Sequence, residues 1–233
     1  MSLLPSRLCR SHLRFPSLFP PLLRAFHVHS PSSNSNPLEP PLPHIIHSLI
    51  IVPVVPVNRN LWFGKQPSAP TLPDSASSCV LSAGRRLLSR SPGSSSEMSM
   101  FQDSALRAYE LLDATLAHFM PGDVGSDDPS IRSRLPDGET LDDLVPPLVI
   151  LITRFCLGDE DAKVRIRNWF IPPNIDRSNP LETRSDLLGR CLRLLQSVHH
   201  SRLNRVCGEM FFAMCDCDGE SSTSLIHHRC LVQ

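Results

Sequence analysis

Several chemistries are missing from this chain. It has no G-x-x-x-x-G-K-[ST] phosphate loop, no G-x-G-x-x-G, no G-x-S-x-G and no H-E-x-x-H. No pair of carboxylates stands beside a histidine in a spacing suited to acid–base work. These absences exclude the motif-bearing nucleotide-hydrolysing, dehydrogenase, serine-hydrolase and zinc-protease classes, so neither a catalytic residue nor a cofactor is expected. No apolar run reaches the roughly 20 residues of a membrane span. The longest in the front half, HIIHSLIIVPVVPV at 44–57, is interrupted by Pro53 and Pro56. The basic patch at Arg85, Arg86 and Arg90 has no aromatic residues interleaved with it, which argues against nucleic-acid binding. The eight cysteines do not form a disulfide framework. Cys191 and Cys207 fall on apolar helix faces, where a free thiol behaves as a small hydrophobe. With no secretory signal, a reducing compartment and a cytoplasmic location are expected.

The zero net charge conceals two unlike halves. Residues 1–97 carry nine Lys/Arg against three Asp/Glu, and fifteen of the 23 prolines. The remainder is acidic and helical in pattern. Residues 1–43 read as an extension without fixed structure. Their arginines and serines would also suit a mitochondrial transit peptide over 1–35, but Pro16, Pro20 and Pro21 would break its amphipathic helix. Residues 44–65 read as a short buried helix and an extended piece anchored by Trp62 and Phe63. His44 and His47 have H-x-x-H spacing but no acidic or Cys companion, so a structural role is expected. Residues 66–97 are Ser/Pro-rich and read as a disordered linker, with Ser89 and Ser91 as candidate phosphorylation sites.

Residues 98–218 carry the helical periodicity. Over 102–120, Ala105, Tyr109, Leu112 and Leu116 form a stripe, capped by Asp103 or Ser104 and stopped at Pro121-Gly122. Asp123, Asp127 and Asp128 follow in a loop that lacks the order of a calcium-binding EF-hand, so a solvated loop is expected. Residues 140–157 leave no polar face, which predicts a central helix started or kinked at Pro146-Pro147. Asp159 caps a helix to Phe170 with Arg165 and Arg167 outward. Two amphipathic helices then follow. The first buries Leu187, Cys191, Leu194, Leu195 and Val198 and turns Arg190 and Arg193 outward. The second buries Leu203, Cys207, Met210 and Met214 and turns Arg202, Arg205 and Glu209 outward. Such a pair cannot cover both apolar faces alone and needs similar neighbours, which is the logic of an armadillo/HEAT-like helical repeat. The fold class is therefore all-α, with an irregular tail over 219–233. Cys215, Cys217, His227, His228 and Cys230 could supply zinc ligands, but C-x-C is a poor zinc knuckle and no metal site is expected.

The run DRSNPLETRSDLLGRCLRLLQSVHH, followed by GEMFFAMCD, resembles the synembryn family as found in fungi. The resemblance extends more weakly upstream through LVPPLVILITRFCLGDEDAKVRIRNWFIPPNIDRS to the segment around Trp62, and is not seen before about residue 36 or after Asp218. That family implies a chaperone and guanine-nucleotide exchange factor for heterotrimeric G-protein α subunits. It implies a Gα partner, GDP-bound or nucleotide-free, gripped at its C-terminal helix, and no covalent chemistry. The resemblance also implies a truncated scaffold with an uncapped last repeat, which leaves open whether exchange activity survives. Arg165, Arg167, Arg190 and Arg193 are the expected partner-binding residues. The alternative is a generic helical-repeat adaptor with no link to G proteins.

Overall fold

The run after Pro146-Pro147 lies at the centre of the molecule. The computed structural model describes residues 15–29, 36–64 and 103–215, and among them are nine α-helices and no strand. They are α1 (Phe15–Val28), α2 (Leu42–Ile51), α3 (Arg59–Phe63), α4 (Ser104–Phe119), α5 (Leu141–Leu144), α6 (Pro146–Gly158), α7 (Glu160–Phe170), α8 (Leu187–Leu194) and α9 (Ser201–Met214). No helix among the described residues is long and apolar enough to cross a membrane. The linker at 66–97 with Ser89 and Ser91, its arginines and the tail at 219–233 lie outside the described residues.

Local chemistry sets most helix starts. Asp103 accepts from the Ala105 amide at 3.0 Å, Asp159 from Ala162 at 2.8 Å and Asp186 from Gly189 at 3.0 Å. Each carboxylate satisfies an amide that a helix start leaves unpaired. Pro146 occupies the first position of α6, where its missing N–H costs nothing, so Pro146-Pro147 start the helix and do not kink it.

Three pairs of helices pack together: α1 with α2, α4 with α6, and α8 with α9. Between pairs, α2 packs on α6 and α6 on α9, while α1 packs on α4 and α4 on α8. The result is two rows, α1–α4–α8 and α2–α6–α9, in stacked two-helix layers, the arrangement of a helical repeat. α7 wedges against α4, α6 and α9. The second row runs in one direction. The Asp142 carboxylate, just before α6, accepts from the Arg202 and Leu203 amides at 3.1 and 2.9 Å, so α6 and α9 start together. A Cβ built on Gly158 would fall 2.5 Å from Val54 Cβ, so α2 and α6 finish together.

The core follows α6. Leu148, Val149, Leu151, Ile152 and Phe155 are buried. The Phe155 ring packs edge-on to Trp62 and Phe63 at 5.2 and 5.4 Å between centroids. Trp62 therefore belongs to the same core as a residue 93 positions later.

Three expectations need correction. Residues 15–28, expected to lack structure, form α1 with Pro20 and Pro21 inside it. Each internal proline costs roughly 3 kcal/mol. Phe19, Leu23 and Phe26 are buried, at roughly 1.5–3 kcal/mol each, and Phe19 lies 4.6 Å from the Trp62 ring. Tertiary burial thus offsets the local break. Second, α8 stops at Leu194 and Val198 is 81% exposed. The Ser197 hydroxyl and the Val198 amide are taken by Asp127, at 2.5 and 3.0 Å, which draws the chain out of the helix. Third, α6 keeps one stripe open. Ile150, Thr153 and Arg154 are half-buried and Leu157 is exposed.

Candidate partner-binding face

Two of the four arginines expected to face outward are buried, and the other two are half-buried. Arg190 is 8% exposed; its Nε donates to the Met120 carbonyl at 3.1 Å and Nη1 to Asp113 Oδ1 at 3.0 Å. Arg193 is 9% exposed and donates to the carbonyls of Glu182, Arg184 and Gly122 at 2.6, 2.9 and 2.9 Å. Burial pushes its pKa down, but the carbonyl cage still solvates the guanidinium. Both point toward the segments that flank α8, so their outward placement is corrected. The cause is that α8 is buried on every side, with Leu187 through Leu194 all inside. Arg165 forms a salt bridge to Asp103, and its guanidinium lies 5.6 Å from the Phe63 ring centroid and 5.9 Å from that of Trp169. Burial raises the Asp103 pKa, opposed by Arg165. Arg167 remains half-buried on α7, with contacts of its own.

Fully exposed cations lie on α9. α9 exposes Arg202, Arg205, Glu209 and Phe212, at spacings of three and four residues. Beside it α6 leaves Ile150, Thr153 and Arg154 half-buried and Leu157 exposed, and α2 exposes His44, His47 and Ile51 beyond that. Since the first row covers the opposite side of these helices, the three stripes form one face. Ile51, Leu157 and Phe212 are 67%, 64% and 43% exposed on it. Neither the Arg154 nor the Arg202 guanidinium has an ion-pair partner among the described residues. Arg205 sits 3.5 Å from Glu209, an exposed pair of little worth. Asp142 and Asp143 lie nearby; both Asp142 oxygens are taken by α9 amides, and Asp143 Oδ2 by Thr140. The face therefore combines two guanidinium groups, Arg154 and Arg202, that lack acidic partners among the described residues with separated apolar side chains. It can hold a partner bearing carboxylates and an apolar stripe.

The sequence had set Arg202 and Arg205 outward on α9 without assigning them a role. Arg154 carried no signal, because it lies in a run with no evident polar face.

No group of three or more His, Cys, Asp or Glu residues able to hold a metal occurs among the described residues. Cys215 is buried at the end of α9, while Cys217, His227, His228 and Cys230 lie outside the described residues. The Cys191 thiol is pushed up by its hydrogen bond with Cys207 and by burial, and the Cys156 thiol is pushed up to about 12 by burial. Both thiols are held protonated and suited to packing.

These features define a helical-repeat scaffold whose candidate site is a binding surface. Residues 7–226 match the family model described as guanine nucleotide exchange factor synembryn, and the chain belongs to that family. The match begins well before residue 36 and passes Asp218, so it covers more of the chain than the resemblance traced in the sequence. No curated protein and no solved structure gives a match.

Proposed function

We propose that this chain binds the α subunit of a heterotrimeric G protein through the outer face of α2, α6 and α9. In this reading it acts as an exchange factor and chaperone. The observation that carries the proposal is the pairing of Arg154 and Arg202, without acidic partners among the described residues, with exposed Ile51, Leu157 and Phe212 on that face. Family membership supplies the partner. A row of parallel helices suits a helical ligand, which lays an apolar stripe against the surface while its carboxylates meet the guanidinium groups. Arg167 on α7 is kept as a secondary contact.

The mechanism needs no covalent step. A scaffold that binds nucleotide-free Gα more tightly than GDP-bound Gα lowers the free energy of the empty state and speeds GDP release. Reciprocally, GDP weakens the complex by the same factor. Calorimetry with Gα in both states tests this. The reading predicts tighter binding without nucleotide and weaker binding as salt rises. No binding in either state removes it. Equal affinity for the two states leaves a scaffold that holds Gα without promoting exchange.

A further inference from the structure

α9 has no side-chain cap of its own, since His200 at its start makes no capping hydrogen bond. The cap comes from the preceding layer. Asp142 on α5 accepts from the Arg202 and Leu203 amides through both carboxylate oxygens, at 3.1 and 2.9 Å. α5 is itself held by Asp143, which accepts from the Thr140 amide and hydroxyl at 3.3 and 2.6 Å. α5 also runs into α6 through Val145, which has helical backbone angles. The first turn of α9, which carries Arg202 and leads into Arg205, is therefore fastened to the start of α6, whose later turns carry Arg154.

We propose that Asp142 is a positioning residue for the partner face. It sets the height of α9 along α6, so that Arg154, Arg202 and Arg205 meet a partner as one group. Loss of this inter-layer cap frees two amides and lets the first turn of α9 fray, while the deeper packing of Val206, Cys207 and Met210 is retained. The inference rests on the proposed Gα-binding reading, and it adds a residue that never touches the partner.

The test compares Asp142→Ala and Asp142→Asn in the full chain, with Arg202→Glu alone and combined with Asp142→Ala. Hydrogen exchange is read over residues 200–206, and affinity for nucleotide-free Gα is measured alongside. Asp142→Ala is expected to speed exchange there about tenfold and to weaken Gα binding about fivefold, in line with the loss of a helix cap. Asp142→Asn, which keeps an accepting oxygen, restores a large part of both. Arg202→Glu weakens binding in the wild-type background and adds little after Asp142→Ala. A merely structural residue would shift stability without this coupling. Unchanged exchange in Asp142→Ala overturns the inference alone, as does unchanged affinity where Arg202→Glu lowers it. A wild-type chain that binds no Gα removes the reading beneath it as well, and normal exchange behaviour beside that result tells the two failures apart.

Discussion

Arg190 on α8 reaches Asp113 on α4 at 3.0 Å and, with the same guanidinium, the Met120 carbonyl that closes α4. One buried cation thus joins two layers and satisfies a helix end. Arg190→Leu keeps an apolar stem but leaves the Met120 carbonyl unpaired in the interior. A loss of about 2–3 kcal/mol is expected, from the lost bonds to a charged donor and the stranded acceptor. Urea unfolding monitored by circular dichroism measures it. Arg205→Leu, on the exposed side of α9, is expected to stay within about 0.5 kcal/mol of wild type.

Gly189 illustrates a constraint that propensity alone would misjudge. A Cβ there would lie 2.2 Å from the Arg184 carbonyl oxygen. Alanine favours a helix over glycine by about 1 kcal/mol. The backbone of the 184–186 segment cannot recede, because Arg193 holds the Glu182 and Arg184 carbonyls. Gly189→Ala is therefore expected to destabilise by about 1–3 kcal/mol, in the range of an overpacked core. A midpoint equal to or above wild type in the same unfolding assay would contradict the close approach.

Asp127 and Asp186 give the last layer an acid limit. Slight burial works to raise the Asp127 pKa, but hydrogen bonds from Ser197, Val198 and His199 outweigh it and hold the group below the usual carboxylate range. For Asp186, burial also works upward, and Arg184 with the Gly189 amide prevails. A depressed folded pKa means stability that is present above the unfolded value, about 3.9, and lost as pH falls through the folded one. The α8–α9 turn should therefore loosen first below about pH 4. Hydrogen exchange from residues 195–203 at pH 3 and pH 7, corrected for intrinsic rates, checks this, and Asp127→Asn should flatten the difference.

Phe155 meets Trp62 and Phe63 and is fully buried. Phe155→Ala should cost about 3–5 kcal/mol and disturb the packing of α1 as well, since Phe19 leans on Trp62. Tryptophan fluorescence during unfolding reports on both effects.

Much of the architecture was legible because it rests on local rules. Asp103, Asp159 and Asp186 announce helix starts, and the Leu203–Met214 stripe announces a buried face. What escaped depends on distant partners. Pro20-Pro21 read as breakers, and only the burial of Phe19, Leu23 and Phe26 overrules them. Arg190 and Arg193 sat at positions that look polar on a helical wheel, but α8 is enclosed, and carbonyls from residues 120, 122, 182 and 184 receive them. Asp127 read as a solvated loop acid, yet it holds a turn 70 residues away. The proposed partner face was half visible. Arg202 and Arg205 showed the right periodicity, but joining them to Arg154 required knowing that α6 and α9 lie side by side.

GDP release from Gα is the most direct test of the central claim. Release of a fluorescent GDP analogue is followed with wild-type chain and with Arg154→Glu/Arg202→Glu/Arg205→Glu, after circular dichroism shows both to be equally folded. Faster release is expected with wild type and at least a tenfold smaller effect with the triple variant, with Arg167→Glu intermediate. Acceleration undiminished by the triple variant would place the partner on another face, and no acceleration or binding by the wild-type chain would contradict the account.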